Sequence, residues 1–211
     1  MAIQIIVADG QEVIRAGLVH LFRGSTLNVV ATACSVRNLL QQVNTHQPVC
    51  VLTDIFLRGD DGLKAIQKIQ DKCPTTRVAV LTAHDNPTYV ARAHAWGAAD
   101  YLLKGLLRRQ LIEAVTHVCQ GQSPTTQGLL KPMQETLHEK HINGVPTSIP
   151  LTLRESQVLR HLGFGLSNRE IGYSMLISVE TVKEHVQNVL RKLNLHDRTQ
   201  AAVWAVRKGI I

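Results

Sequence analysis

The chain of 211 residues is poor in cysteine: Cys34, Cys50, Cys73 and Cys119 are its four, and no two form a C-x-x-C pair. Neither a zinc site nor a disulfide framework is indicated, so the thiols are expected to be reduced and mostly buried. The beginning of the sequence lacks the basic start and longer apolar stretch of a secretory leader. No apolar run reaches the roughly 18 residues that a membrane span requires. The cytoplasm is the expected location, with no membrane partner. Also missing is a Gly-rich phosphate loop: after the first apolar run, ADGQEVIRAG contains neither G-x-G-x-x-G nor G-x-x-x-x-G-K-[ST], which disfavours nucleotide binding.

Basic charge is in excess. The net charge of +7 divides into +3 over residues 1–120, 0 over residues 121–149 and +4 over residues 150–211. The short last stretch is the more basic per residue, which suits a polyanionic partner such as DNA, although an acidic protein or a membrane surface would also fit an excess of charge alone. At about 100–150 residues per domain, the length fits two domains better than one. The polar stretch between them holds Pro124, Pro132, Pro146 and Pro150 and the pair Asn143-Gly144, all breaker signals. Met133, Leu137 and Ile142 have the spacing of a brief helical turn, but residues 121–149 read better as a tether.

Residues 150–211 predict short helices at close spacing. Thr152 precedes Glu155 by three places and Ser167 precedes Glu170 by three, and each pair has the pattern of a capping box. Ser178 offers a third cap. After it Val182, Val186, Val189 and Leu193 recur at helical period, so one face of this helix is expected to be buried. The opposite face carries Lys183, Glu184, Gln187, Asn188 and Arg191, groups able to bond base edges or phosphates. Asp197 with Gln200 opens a last helix and Gly209 is placed to end it. The expectation is an all-α, four-helix domain with a helix-turn-helix; an ordinary helical bundle with a solvated face is the blander alternative.

Residues 1–120 alternate differently. Apolar runs over 4–8, 27–33, 49–53, 78–82 and 101–103 are each followed by a helical pattern, over 12–22, 35–43, 63–69, 89–95 and 106–119. Five such units predict an α/β fold, a five-stranded parallel doubly wound sheet of flavodoxin-like type, with functional groups at the carboxyl ends of the strands. Asp9, Asp54, Thr82 and Lys104 fall at those ends. Two carboxylates, a hydroxyl and an ammonium are the parts for phosphoryl chemistry: an aspartate nucleophile, a cation to neutralise phosphoryl oxygens and a hydroxyl to bind one. Each alone is an ordinary strand-end polar group; four converging favour a site. An enzyme on such a sheet would need a cofactor loop or a nucleophile with its base, and neither is present.

Two resemblances follow from these residues. Glu155 through Arg198 closely resembles the LuxR-type DNA-binding domain, with Arg154, Glu155, Gly165, Ser167, Asn168, Glu170, Ile171, Ile177, Ser178, Thr181, Val182, Lys183, His185, Asn188, Lys192 and Leu193 at the pattern's positions. Gly172 departs from it, where alanine is usual. Residues 1 to about 120 look like a two-component receiver domain, and the order is that of NarL/FixJ-type response regulators. The resemblance implies Asp54 as phosphoacceptor, Gly59, Asp61 and Gly62 as its loop, Thr82 with Ala83 as switch hydroxyl, Tyr101 as switch aromatic and Lys104 as the receiver lysine. It implies a sensor histidine kinase as partner, double-stranded DNA as target, RNA polymerase as a further partner and a homodimer on DNA formed through the last helix. By the residues alone, Ala201, Ala202 and Ala205 make one side of that helix small enough for close helix approach, and part of the helix is expected to close its own bundle.

For the DNA contacts, Lys183, Glu184 and Gln187 are expected to face bases, with Ser178, Thr181, Asn188, Arg191 and Lys192 nearer phosphates. Glu184 fits either a cytosine contact or repulsion of a wrong backbone position. Receivers normally carry two adjacent acids after the first strand, and here the pair is Asp9-Gly10. Magnesium would be left with Asp9, Asp54 and the backbone carbonyl of Phe56, so its affinity is expected to be weakened or lost. Arg58 stands where proline is usual and is expected to point to water, as most arginines do; the alternative is partial compensation for the lost metal ligand. Three readings stay open: normal phosphorylation with water in place of the acid, poor phosphorylation, or a metal-independent receiver serving dimerisation or protein interaction.

Overall fold

The computed structural model describes residues 2–122, 124–138 and 151–211. It divides into two compact units, Met1–Lys131 and Pro132–Ile211. In the first, five parallel strands form one sheet: β1 (Ile3–Ala8), β2 (Leu27–Ala33), β3 (Cys50–Thr53), then, after a two-stranded antiparallel ribbon of β4 (Phe56–Leu57) and β5 (Asp60–Asp61), β6 (Arg77–Thr82) and β7 (Asp100–Leu103). The sheet order is β2-β1-β3-β6-β7. Helices α1 (Glu12–Phe22), α2 (Val36–His46), α3 (Leu63–Lys72), α4 (Pro87–Ala95) and α5 (Arg108–Cys119) alternate with its strands. Side chains alternate across the sheet, so Ile5, Val7, Cys50, Leu52, Ala79, Leu81 and Leu102 share a cluster with Leu18 and Phe22 of α1 and Leu111, Val115 and Val118 of α5. Such complete burial of β3, all four residues of it, is what a sheet covered on both faces demands.

The order places β1, β3, β6 and β7 side by side, and parallel pairing brings all their carboxyl ends to one rim. Asp9, Asp54, Thr82 and Lys104 therefore line up there, knit by backbone bonds from Asp54 N to Ala8 O at 2.9 Å and from Lys104 N to Thr82 O at 2.8 Å. Two glycines make the rim compact. Gly62 donates to Ile55 O at 2.8 Å, and a Cβ on it would lie 2.0 Å from the Asp54 carbonyl oxygen. Gly59 turns the ribbon with φ +73°.

The stretch expected to be a tether from residue 121 is partly built into the first unit. Thr125 and Leu129 bond to β7, and α6 (Leu130–His138) follows, nine residues where the sequence suggested a brief turn. Pro132 falls in its first turn, where a missing N–H costs nothing. Ile142, Asn143, Gly144, Pro146 and Pro150 lie outside the described residues.

The second unit holds α7 (Leu153–Gly163), α8 (Asn168–Met175), α9 (Val179–Leu193) and α10 (Arg198–Arg207). Both capping boxes form: Thr152 Oγ1 accepts from Glu155 N and Glu155 Oε2 from Thr152 N, and Ser167 and Glu170 reciprocate likewise. The buried stripe of α9 is Val182, Val186 and Val189, with Leu193 half-buried at its end. Gly172 has a reason: a Cβ there would stand 2.9 Å from the Ile177 carbonyl, and Ile177 N bonds back to Gly172 O at 3.0 Å, closing the turn between α8 and α9. Among the described residues no helix is long and apolar enough to cross a membrane.

Candidate phosphoacceptor pocket and DNA interface

At the rim of the first unit, Lys104 gathers both acids. Its Nζ lies 2.5 Å from Asp9 Oδ2 and 2.7 Å from Asp54 Oδ2. Each carboxylate's other oxygen is used by backbone, Asp9 Oδ1 accepting from Gln11 N at 2.8 Å and Asp54 Oδ1 from Ile55 N at 2.7 Å. Asp9 is 1% exposed, Asp54 8% and Thr82 0%. Burial by itself would lower the Lys104 pKa, but the bonds and charges of Asp54 and Asp9 outweigh it and raise the value, so the ammonium stays charged. The pocket is thus a preorganised pair of carboxylates neutralised in part by one cation, with a threonine hydroxyl on the neighbouring strand. An aspartate oxygen here can attack a phosphoryl group, and Lys104 can neutralise the charge that arrives with it.

Tyr101 sits in β7 with its ring fully buried and its hydroxyl donating to His84 O at 2.7 Å. Burial, and then the nearby Asp54 charge, raise its pKa, so it remains a neutral donor. Outside it Phe56, His84 and Tyr89 meet edge to face, at centroid separations of 5.1 Å for Phe56–His84 and 5.8 Å for Phe56–Tyr89. This cluster is not legible in the sequence, because His84 and Tyr89 are 28 and 33 places from Phe56 and no spacing joins the three.

Two carboxylates and a carbonyl are what this rim offers a divalent cation. A Cβ at Gly10 would lie 3.2 Å from Phe56 O, so the absent second acid would have stood beside that carbonyl. Among the described residues no group of three His, Cys, Asp or Glu side chains converges. Since magnesium is usually held by one or two carboxylates with waters and phosphate oxygens completing the octahedron, the set fits a sparse magnesium site. Arg58 is exposed, as expected, and its Nε also donates to Gly10 O at 3.1 Å, which holds the side chain at the pocket's edge.

In the second unit, Lys183, Glu184, Gln187 and Arg191 are exposed along α9, with Thr181 and Asn188 half-buried beside them. Ser178 caps the helix, its Oγ accepting from Thr181 N and lying 3.0 Å from Thr181 Oγ1. Arg191 bonds Asn188 Oδ1 at 3.1 Å on the same surface. The ammonium of Lys192 lies 2.7 Å from Glu155 Oε2 and ties α9 to the start of α7. Burial raises the pKa of Glu155, but Lys192 and the bonds from Thr152 outweigh that and hold it below the ordinary glutamate range.

Sequence reading also missed His161, buried in α7 with Nδ1 2.7 Å from Gln157 O and Nε2 2.8 Å from Ser174 Oγ. It missed Arg198, which reaches Asn168 Oδ1 and Leu166 O. The small side of α10 closes the bundle, as one of the two readings expected: Ala201 and Ala205 are fully buried in their own domain, Ala205 against Gly163 of α7, while Val203 and Val206 are exposed.

Known proteins match both units. The family profile described as response regulator receiver domain matches residues 5–116, and that of the bacterial regulatory proteins of the luxR family matches residues 149–205. The transcriptional regulatory protein LnrK of Bacillus subtilis is 35% identical over 99% of this chain and 98% of its own length. DegU of Brevibacillus brevis, another transcriptional regulatory protein, is 33% identical over 98% and 94%. A structure of the Salmonella typhimurium response regulator RcsB superposes with a TM-score of 0.57 over 97% of this chain and 99% of that one, at 20% identity, a likeness of fold. With the acid-lysine rim in one unit and the capped, polar-faced α9 in the other, the chain belongs to the NarL/FixJ-type response regulators, DNA-binding transcription regulators of two-component systems.

Proposed function

We propose that Asp54 takes a phosphoryl group from a sensor histidine kinase and that this controls binding of α9 to double-stranded DNA. The convergence of Asp9, Asp54 and Lys104 within hydrogen-bond distance, beside Thr82, carries the reading. The kinase's phosphohistidine supplies the phosphoryl group: the Asp54 oxygen forms the new O–P bond, the N–P bond breaks and the imidazole leaves. Asp9, Asp54 and the Phe56 carbonyl would hold magnesium, which neutralises phosphoryl oxygens when bound. Gly10 makes that hold weak, and Arg58, anchored to Gly10 O, adds positive charge at the same edge. Thr82 and Tyr101 are the switch pair, one hydroxyl placed to bond a phosphoryl oxygen and one ring buried beside it.

Lys183, Glu184 and Gln187 read bases, while Ser178, Thr181, Asn188 and Arg191 meet phosphates. A homodimer on DNA is formed through the exposed Val203 and Val206 of α10, so that two half-sites are read together. RNA polymerase is the partner that transcription control requires, and the cytoplasm is where the chain works.

Labelling with acetyl phosphate, with and without magnesium, tests the first half. Incorporation at Asp54, lost in Asp54→Asn and made more sensitive to magnesium in Gly10→Asp, is expected; no incorporation under either condition rejects it. For the second half, Lys183→Ala should lower base discrimination by about 1–3 kcal/mol. Equal weakening on every duplex would reject its assignment to a base.

A further inference from the structure

Asp100 is a carboxylate with no exposure at all, at the start of an edge strand and away from the pocket just described. One oxygen accepts from Tyr101 N at 2.7 Å. The other accepts twice from Thr125, from its amide at 2.9 Å and from its hydroxyl at 2.7 Å. Thr125 Oγ1 in turn accepts from Gly128 N at 3.2 Å. Gly128 packs so closely that a Cβ on it would fall 2.0 Å from Asp100 Oδ1. One residue later, Leu129 N donates to Tyr101 O at 2.8 Å, a single ladder bond on the edge of β7.

These contacts bind residues 125–129 to β7 on both sides of the Tyr101 backbone. The chain that leaves this clasp leads to the DNA-binding domain. A buried carboxylate is costly unless its oxygens are satisfied. Here Thr125 satisfies one of them with both its amide and its hydroxyl, so Asp100 depends on the segment as the segment depends on it.

We propose that Asp100 and Thr125 form the output clasp of the receiver. A shift of Asp100 and Tyr101 against residues 125–129 breaks the Leu129 and Thr125 bonds together, and release of this segment lengthens and frees the connection to the DNA-binding domain. The inference rests on Asp54 being the phosphoacceptor only for what drives the displacement; the clasp itself is a property of Asp100, Thr125, Gly128 and Leu129.

Hydrogen exchange of the full chain, read by mass spectrometry on peptides spanning 124–131, tests it alongside duplex affinity. Three proteins are compared, the wild type, Thr125→Val and Asp100→Asn, each before and after acetyl phosphate treatment, with labelling of Asp54 measured separately. In the wild type, labelling should speed exchange of this segment and change duplex affinity by about tenfold, the usual size of such couplings. Thr125→Val keeps volume and amide but removes the hydroxyl. Its segment should exchange fast in both states and its affinity should no longer respond, while Asp54 labels as in the wild type. A purely structural role would leave the response intact. Unchanged exchange on labelling, or a full affinity response in Thr125→Val, overturns the proposal. Should Asp54 take no label, the phosphorylation reading fails by itself, and the unlabelled proteins still decide: equal duplex affinity of the wild type and both variants overturns the clasp, and a several-fold difference supports it.

Discussion

Lys192→Ala separates a cation that holds the DNA-binding domain together from one that holds DNA. Its Nζ is 2.7 Å from Glu155 Oε2, with the two side chains 24% and 5% exposed. The same oxygen accepts the Thr152 amide at 2.7 Å. Removing the ammonium leaves a buried carboxylate with a backbone amide and no countercharge. Breaking a fully buried pair costs about 3–5 kcal/mol, but a lysine that is a quarter exposed lets water take its place in part, which brings the cost to about 2 kcal/mol. With a urea slope of about 1 kcal/mol per molar for a domain this small, the midpoint should fall by about 2 M. Trp96 and Trp204 are the two tryptophans and lie in different units, so in a Trp96→Phe background fluorescence reports the second unit alone. Glu155→Gln completes a double-mutant cycle, in which the two losses should be less than additive. An unchanged midpoint, together with a salt dependence of DNA binding reduced by about one phosphate, would refute the reasoning and return Lys192 to the DNA.

The pKa of Glu155 lies below its unfolded value of about 4.3, so its contribution is complete above that pH and is lost as pH falls through the folded value. Urea midpoints of the second unit in the wild type and Glu155→Gln should therefore converge in acid, and a constant gap would contradict this. Gly62→Ala drives a methyl into the Asp54 carbonyl and should cost the first unit about 2 kcal/mol or more, seen in Trp96 fluorescence with Trp204→Phe, and slow Asp54 labelling. Among the free thiols, a hydrogen bond with Cys50 and then the Arg77 charge outweigh burial and lower the pKa of Cys119, while the same hydrogen bond and burial raise that of Cys50. Iodoacetamide at about pH 8 should mark Cys119 well before Cys50 by peptide mass mapping; the reverse order would disprove it.

What the sequence made legible is local or periodic. Thr152 with Glu155 and Ser167 with Glu170 announce helix starts because both partners lie within four residues, and each box forms as expected. The inner strands β3 and β6 were visible because near-complete burial requires uninterrupted apolar runs, and the rim residues followed from topology. What stayed hidden depends on long-range contact. Lys192 finds Glu155 across 37 positions, and Thr125 finds Asp100 across 25. The β4–β5 ribbon has two residues per strand, too few for any period to show. Arg58 looked like a solvated side chain because nothing in the sequence says that the Gly10 carbonyl is within its reach.

Leu176 ends α8 with φ 55°, a left-handed backbone angle that costs an ordinary L-residue about 1–2 kcal/mol, and its side chain is 91% exposed. Asparagine or glycine would sit there with less strain, so selection for durability alone would not have kept a leucine. The elbow before α9 therefore holds unused robustness: one substitution should raise the melting temperature of this half without touching Lys183, Glu184, Gln187 or Arg191.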